Sequence, residues 1–62
     1  MEWNRMTESK PKEEGEVLFI LKGMKGWLCG WAYSAHQIVL SRRTEFDFSE
    51  IEYWYPVPEM PN

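Results

Sequence analysis

Residues 16 to 22 read Glu16-Val17-Leu18-Phe19-Ile20-Leu21-Lys22, five consecutive apolar side chains, most of them β-formers, set between two charges. The run is too short for a buried helix and follows Gly15, so it reads as a strand buried on both faces. Gly23-Met24-Lys25-Gly26 has the composition of a hairpin connection, and Trp27 to Tyr33 reads as the returning strand. Period two places Trp27, Cys29, Trp31 and Tyr33 on one face of that strand and Leu28, Gly30 and Ala32 on the other. A glycine on the small face predicts either a bulge or the close approach of another backbone. Ser34 to Gln37 is a turn, and Ile38-Val39-Leu40 a third short strand ending at Ser41-Arg42-Arg43.

Outward from these strands the pattern changes. Phe46 and Phe48 alternate with Glu45 and Asp47; after a phase shift near Ser49, Ile51, Tyr53 and Tyr55 alternate with Glu50, Glu52 and Trp54. This predicts an aromatic row inward and an acidic row outward, although Ser49 with Glu52 also fits a capping box and hence a single helical turn. Pro56, Pro58 and Pro61 favour an extended tail. At the other end, Glu2 to Met6 is a short strand or a turn, and Thr7 to Gly15 a loop in which Gly15 offers a positive φ.

The expected fold is mainly β: one small domain, an antiparallel sheet of three or four strands with Glu16 to Lys22 central and the termini adjacent. The alternative is an α+β domain with one helical turn near residues 49–53. Residues 1–15 form an arm and loop, 16–55 the β-rich core and 56–62 the proline-rich tail. At 62 residues only about 60% of the unfolded surface can be buried, so bulky side chains must compensate. Four tryptophans, three tyrosines and three phenylalanines supply them.

The single cysteine, Cys29, rules out an internal disulfide, and the chain opens with no segment resembling a signal peptide, so a reducing cytoplasm is the expected compartment. The nearly apolar stretch Trp27 to Tyr33 is far short of the roughly 20 residues that cross a bilayer, which excludes a membrane span. A Cys29–His36 nucleophile pair would need convergence and a lowered thiol pKa, whereas a thiol between two tryptophans reads as inert. One histidine and one cysteine do not make a closed zinc site, and the glycines do not follow a phosphate-cradling pattern, so no catalytic, metal or cofactor site is expected.

Net charge is −3, unevenly spread. Residues 17 to 43 carry Lys22, Lys25, Arg42 and Arg43 and no acid, while residues 44 to 62 carry five acids and no base. Trp27 and Trp31 with these four cations have the composition of a single-strand nucleic-acid surface. A pI near 5.0 and the acidic block argue against direct nucleic-acid binding unless the charges are sharply segregated. Glu45, Asp47, Glu50 and Glu52 are the candidate acidic face for a protein partner, Trp27 and Trp31 the candidate aromatic one. A minor alternative is mimicry of a phosphate run by the four carboxylates.

Trp3, Pro11, Trp54, Pro56 and Pro58 are the candidate clasp, indoles against pyrrolidine rings tying the chain ends together. The competing reading is a docking strip at the tail, where Pro58-Glu59-Met60-Pro61 meets the minimal proline-x-x-proline spacing. The opening Trp3, Met6, Glu8, Pro11, Gly15, Val17 and Leu18, and the closing Trp54-Tyr55-Pro56-Val57-Pro58-Glu59-Met60-Pro61, resemble the two signature ends of an uncharacterised phage and prophage family, domain of unknown function 551. The chain departs from it at Lys10, where the family has leucine, and at Tyr55 and Val57, where it has methionine and leucine. The resemblance implies a small β-rich domain encoded by phages or prophages, and no activity. Two function classes follow: a non-enzymatic accessory protein that binds a host protein, inhibiting a defence or nucleic-acid-handling complex as one mode, or a structural module that self-associates.

Overall fold

The structure is a computed structural model and describes residues 3–58. Six strands form one antiparallel sheet: β1 (Asn4–Arg5), β2 (Gly15–Leu21), β3 (Leu28–Tyr33), β4 (Ile38–Ser41), β5 (Thr44–Asp47) and β6 (Ile51–Pro56). Their spatial order is β1-β6-β2-β3-β4-β5. The mainly β class is as expected, with six strands in place of three or four. The additional ones are β1, which continues the sheet from within the N-terminal arm, and the separation of residues 44–56 into β5 and β6. Strand β2 is interior, paired with β3 on one side and β6 on the other, and β1 pairs with β6, setting the N-terminal arm beside the last strand.

Strand β2 is not buried on both faces. Val17 and Phe19 are buried, whereas Glu16 is exposed and Leu18 and Ile20 are half-buried on the opposite side. The single core comprises Met6, Val17, Phe19, Ala32, Val39, Phe48, Ile51 and Trp54, with Leu21 and Phe46 against it. The sheet closes over this core by curling. In a flat sheet β2 and β5, three strand spacings apart, would be about 14 Å from one another. The rings of Phe19 and Phe46 nevertheless lie 5.6 Å apart, centroid to centroid.

Gly30 makes that curl possible. A Cβ at this position would sit 2.8 Å from the Leu40 carbonyl oxygen, 2.8 Å from a Val39 methyl and 3.0 Å from the Phe19 ring. Of the two alternatives for this glycine, close backbone approach is the one realised. Gly15 differs from expectation: it lies extended in β2 opposite Ala32, and the positive φ angles of the glycines fall at Gly23 and Gly26. The β2–β3 connection spans 22–27, so Trp27 stands just outside β3.

The phase of β6 also differs. Ile20 pairs with Tyr53 and Leu21 with Ile51, leaving Glu52 as the extra residue of a bulge. One extra residue reverses every side chain beyond it. Ile51 is therefore buried as expected, but Trp54 points into the core opposite Phe19, while Tyr53 and Tyr55 share the outer face with Ile20 and Leu18. A helical turn does precede β6, at Phe48–Glu50 rather than around 49–53; the Asp47 N–H donates to the Glu50 carboxylate at 3.0 Å.

Candidate binding face on the outer side of the sheet

The register fixes which side chains share the face turned away from the core. Glu16 pairs with Trp31, Trp31 with Leu40 and Leu40 with Glu45, giving one row across four strands with carboxylates at both ends and apolar side chains between. The neighbouring row is Tyr33, Ile38 and Asp47. Beyond Glu16 the face continues through Leu18 to Tyr55, on whose ring Trp3 packs edge-on at 6.2 Å, and through Ile20 to Tyr53, beneath the Arg5 guanidinium at 5.8 Å. Trp31 is 44% exposed and Leu40 36%. A shallow depression of about 320 Å³ lies beside them, lined by Tyr33, His36, Ile38, Leu40 and Glu45.

Two polar contacts hold the Glu16 end. The Trp31 indole N–H donates to the Glu14 carboxylate at 3.3 Å, and the Cys29 thiol to that of Glu16 at 3.1 Å. The Glu16 hydrogen bond raises the Cys29 pKa above the ordinary thiol value, with partial desolvation and the adjacent negative charge acting in the same direction. A raised thiol pKa keeps the protonated form to higher pH, so alkylation, which needs the thiolate, is suppressed near neutrality despite the exposure of Cys29. Glu16→Gln should speed alkylation of Cys29 by iodoacetamide near pH 8 and lower the midpoint of its pH–rate profile. An unchanged profile would show that the carboxylate does not hold the thiol proton.

Of the residues expected to form the partner surface, the structure brings Trp31, Glu45 and Asp47 onto this one face. Trp27, 61% exposed, lies at the end of the sheet in the β2–β3 connection. Glu50 caps the helical turn and Glu52 occupies the bulge on β6, so the four carboxylates do not form one row. Among the clasp residues, Trp54 is buried and donates from its indole to the Ser9 carbonyl at 2.6 Å, next to buried Pro11. Trp3 packs on Tyr55, and Pro56 and Pro58 are exposed. Residues 59–62, including Met60 and Pro61 of the proposed docking strip, lie outside the described residues. An open groove of about 1170 Å³ is lined by the loop before β2, the first residues of β2, the 54–58 segment and Trp31.

Leu18, Ile20, Ile38, Leu40, Tyr53 and Tyr55 belong to the outer face and were not anticipated there. Their signal was the unbroken apolar run of β2: in a domain with one core, the second apolar side of such a strand has to be surface. Among the described residues no group of three or more His, Cys, Asp or Glu side chains is placed to hold a metal, and no helix is long and apolar enough to cross a membrane. Comparisons with protein families, with curated proteins and with solved structures give no match to this chain.

Proposed function

We propose that the chain is a non-enzymatic binding module whose outer sheet face docks on a protein partner. The observation that carries this is the row Glu16, Trp31, Leu40, Glu45, an exposed apolar centre closed at both ends by carboxylates. Buried aromatic centres within polar rims are the usual anatomy of protein interfaces, and the acidic rim selects a partner with basic residues around an apolar patch. The resemblance of the chain ends to a phage and prophage family supports a host protein as that partner, bound in the bacterial cytoplasm, with inhibition of a defence or nucleic-acid-handling complex as the biological outcome.

The alternative is self-association through the same face. It is disfavoured by charge: stacked in line on a second copy, the row sets carboxylate against carboxylate whichever way it is turned. The protein should capture one reproducible host protein, identified by mass spectrometry, and Trp31→Ala should lose it while leaving the thermal midpoint nearly unchanged. Glu45→Gln with Asp47→Asn should slow association at low salt, since rim charges act mainly on encounter. Concentration-dependent dimerisation with no captured partner would favour the structural module instead.

A further inference from the structure

The acid-free segment 17–43 places all four of its cations in two connections. Lys22 and Lys25 lie between β2 and β3, and Arg42 and Arg43 between β4 and β5. Topology puts both connections at the same end of the sheet. β3 begins at Leu28, directly after the first connection, and Ser41, the last residue before the second, donates its hydroxyl to the Cys29 carbonyl at 2.7 Å. The two connections therefore flank the first residues of β3. All four cations are exposed, and among the described residues the ion pair present, Arg5 with Glu8, involves none of them.

The β4–β5 turn is a costly place for two arginines. Ser41 pairs with Thr44, so Arg42 and Arg43 are the central residues of a two-residue hairpin loop, with φ of 48° and 68°. Such a loop favours Asn-Gly, because side chains with a Cβ resist the left-handed region. Arg42 and Arg43 thus hold local backbone strain of the kind that gathers at functional sites. Met24 and Trp27, 59% and 61% exposed, stand on the adjoining connection.

We infer that this end of the sheet docks single-stranded nucleic acid, its four cations meeting phosphates and the Trp27 indole providing a stacking platform. Bases stack on exposed aromatic rings with little regard to sequence, and cations beside them track the backbone. The overall negative charge does not forbid it. Glu16 lies about 16 Å along β2 from Leu21, beyond the screening length of roughly 10 Å at 0.1 M salt. Three carboxylates border the four cations: Glu50, whose backbone carbonyl accepts the Lys22 N–H at 3.0 Å and whose side chain accepts the Asp47 N–H, Glu52 in the β6 bulge beside Leu21, and Glu45 on the outer face opposite Leu40. The site is separate from the outer-face row, so either can fail without the other.

The test is fluorescence anisotropy of a labelled short oligothymidylate across a salt series. With four cations engaged, the slope of log K against log salt approaches about −2.8, at roughly 0.7 per neutralised phosphate on a single strand. Arg42→Asn with Arg43→Gly gives the turn its preferred residues; it should raise the thermal midpoint by several degrees while flattening the slope by about 1.4. Lys22→Gln with Lys25→Gln should flatten it by a similar amount, and Trp27→Ala should weaken binding roughly five-fold or more. No binding at low salt, or a slope untouched by both double variants, overturns the proposal. Equal affinity for an oligoglutamate peptide also overturns it and assigns this end to an acidic protein segment.

Discussion

Trp54→Ala should destabilise the domain by about 3–5 kcal/mol, the usual cost of emptying a buried aromatic site. The indole is buried on β6 opposite Phe19, and its N–H reaches the Ser9 carbonyl at 2.6 Å, fastening the 7–14 loop to the sheet. A domain of this size has about 3–9 kcal/mol of stability in all, so the substitution should remove a large share of it. Trp54→Phe separates the two contributions. It retains most of the ring and loses the hydrogen bond, and should cost only about 0.5–1.5 kcal/mol more than the change in packing requires. Urea denaturation read by backbone circular dichroism measures both. A urea midpoint for the alanine variant that matches the parent's would mean that the indole is not seated as described.

That Trp54 belongs to the core was legible for one reason and obscured by another. Its neighbours pointed to a clasp of indoles on pyrrolidine rings; the contact the indole makes is instead a hydrogen bond to the Ser9 carbonyl, with Pro56 and Pro58 exposed. Simple alternation from Ile51 placed it on the wrong side, because the bulge at Glu52 reverses the phase between them. A bulge leaves no reliable mark in sequence: Glu52 has nothing to distinguish it from Glu50. The apolar run of β2, the turn at Ser34–Gln37 and the close approach at Gly30 depend on local composition, and these were readable. Strand number was not, since β1 is two residues long and is stabilised by pairing with β6 rather than by any propensity of Asn4 and Arg5.

The candidate faces divided along the same line. Glu45 and Asp47 were readable as outward residues because β5 alternates without interruption, with Phe46 turned inward toward Phe19. Their company was not readable. Only the pairing of β4 with both β3 and β5 sets Leu40 between Trp31 and Glu45 and joins what had been an aromatic surface and an acidic one. The basic end is similar: four cations free of acids were visible in the sequence, but their convergence depends on two connections emerging at the same end of β3.

Phe19→Ala should produce a comparable loss, about 3–5 kcal/mol, by a different route. Phe19 is fully buried, pairs across β6 with Trp54, touches the space above Gly30 and meets Phe46 from the far side of the curled sheet. Three strand spacings separate β2 from β5, so this ring contact joins parts of the sheet that hydrogen bonding alone does not bring together. The loss should therefore be uneven. Amides of Thr44–Asp47 should lose hydrogen-exchange protection more than those shared by β2 and β6, whose ladder is intact without the ring. A double-mutant cycle with Phe46→Ala isolates the closure: tilted aromatic pairs contribute about 0.5–1.5 kcal/mol beyond area burial, whereas independent sites add to within about 0.3–0.5 kcal/mol. Additivity within that margin would mean that the sheet curls for reasons other than this pair, and the backbone approach at Gly30 would then be the cause of the curl instead of its accommodation.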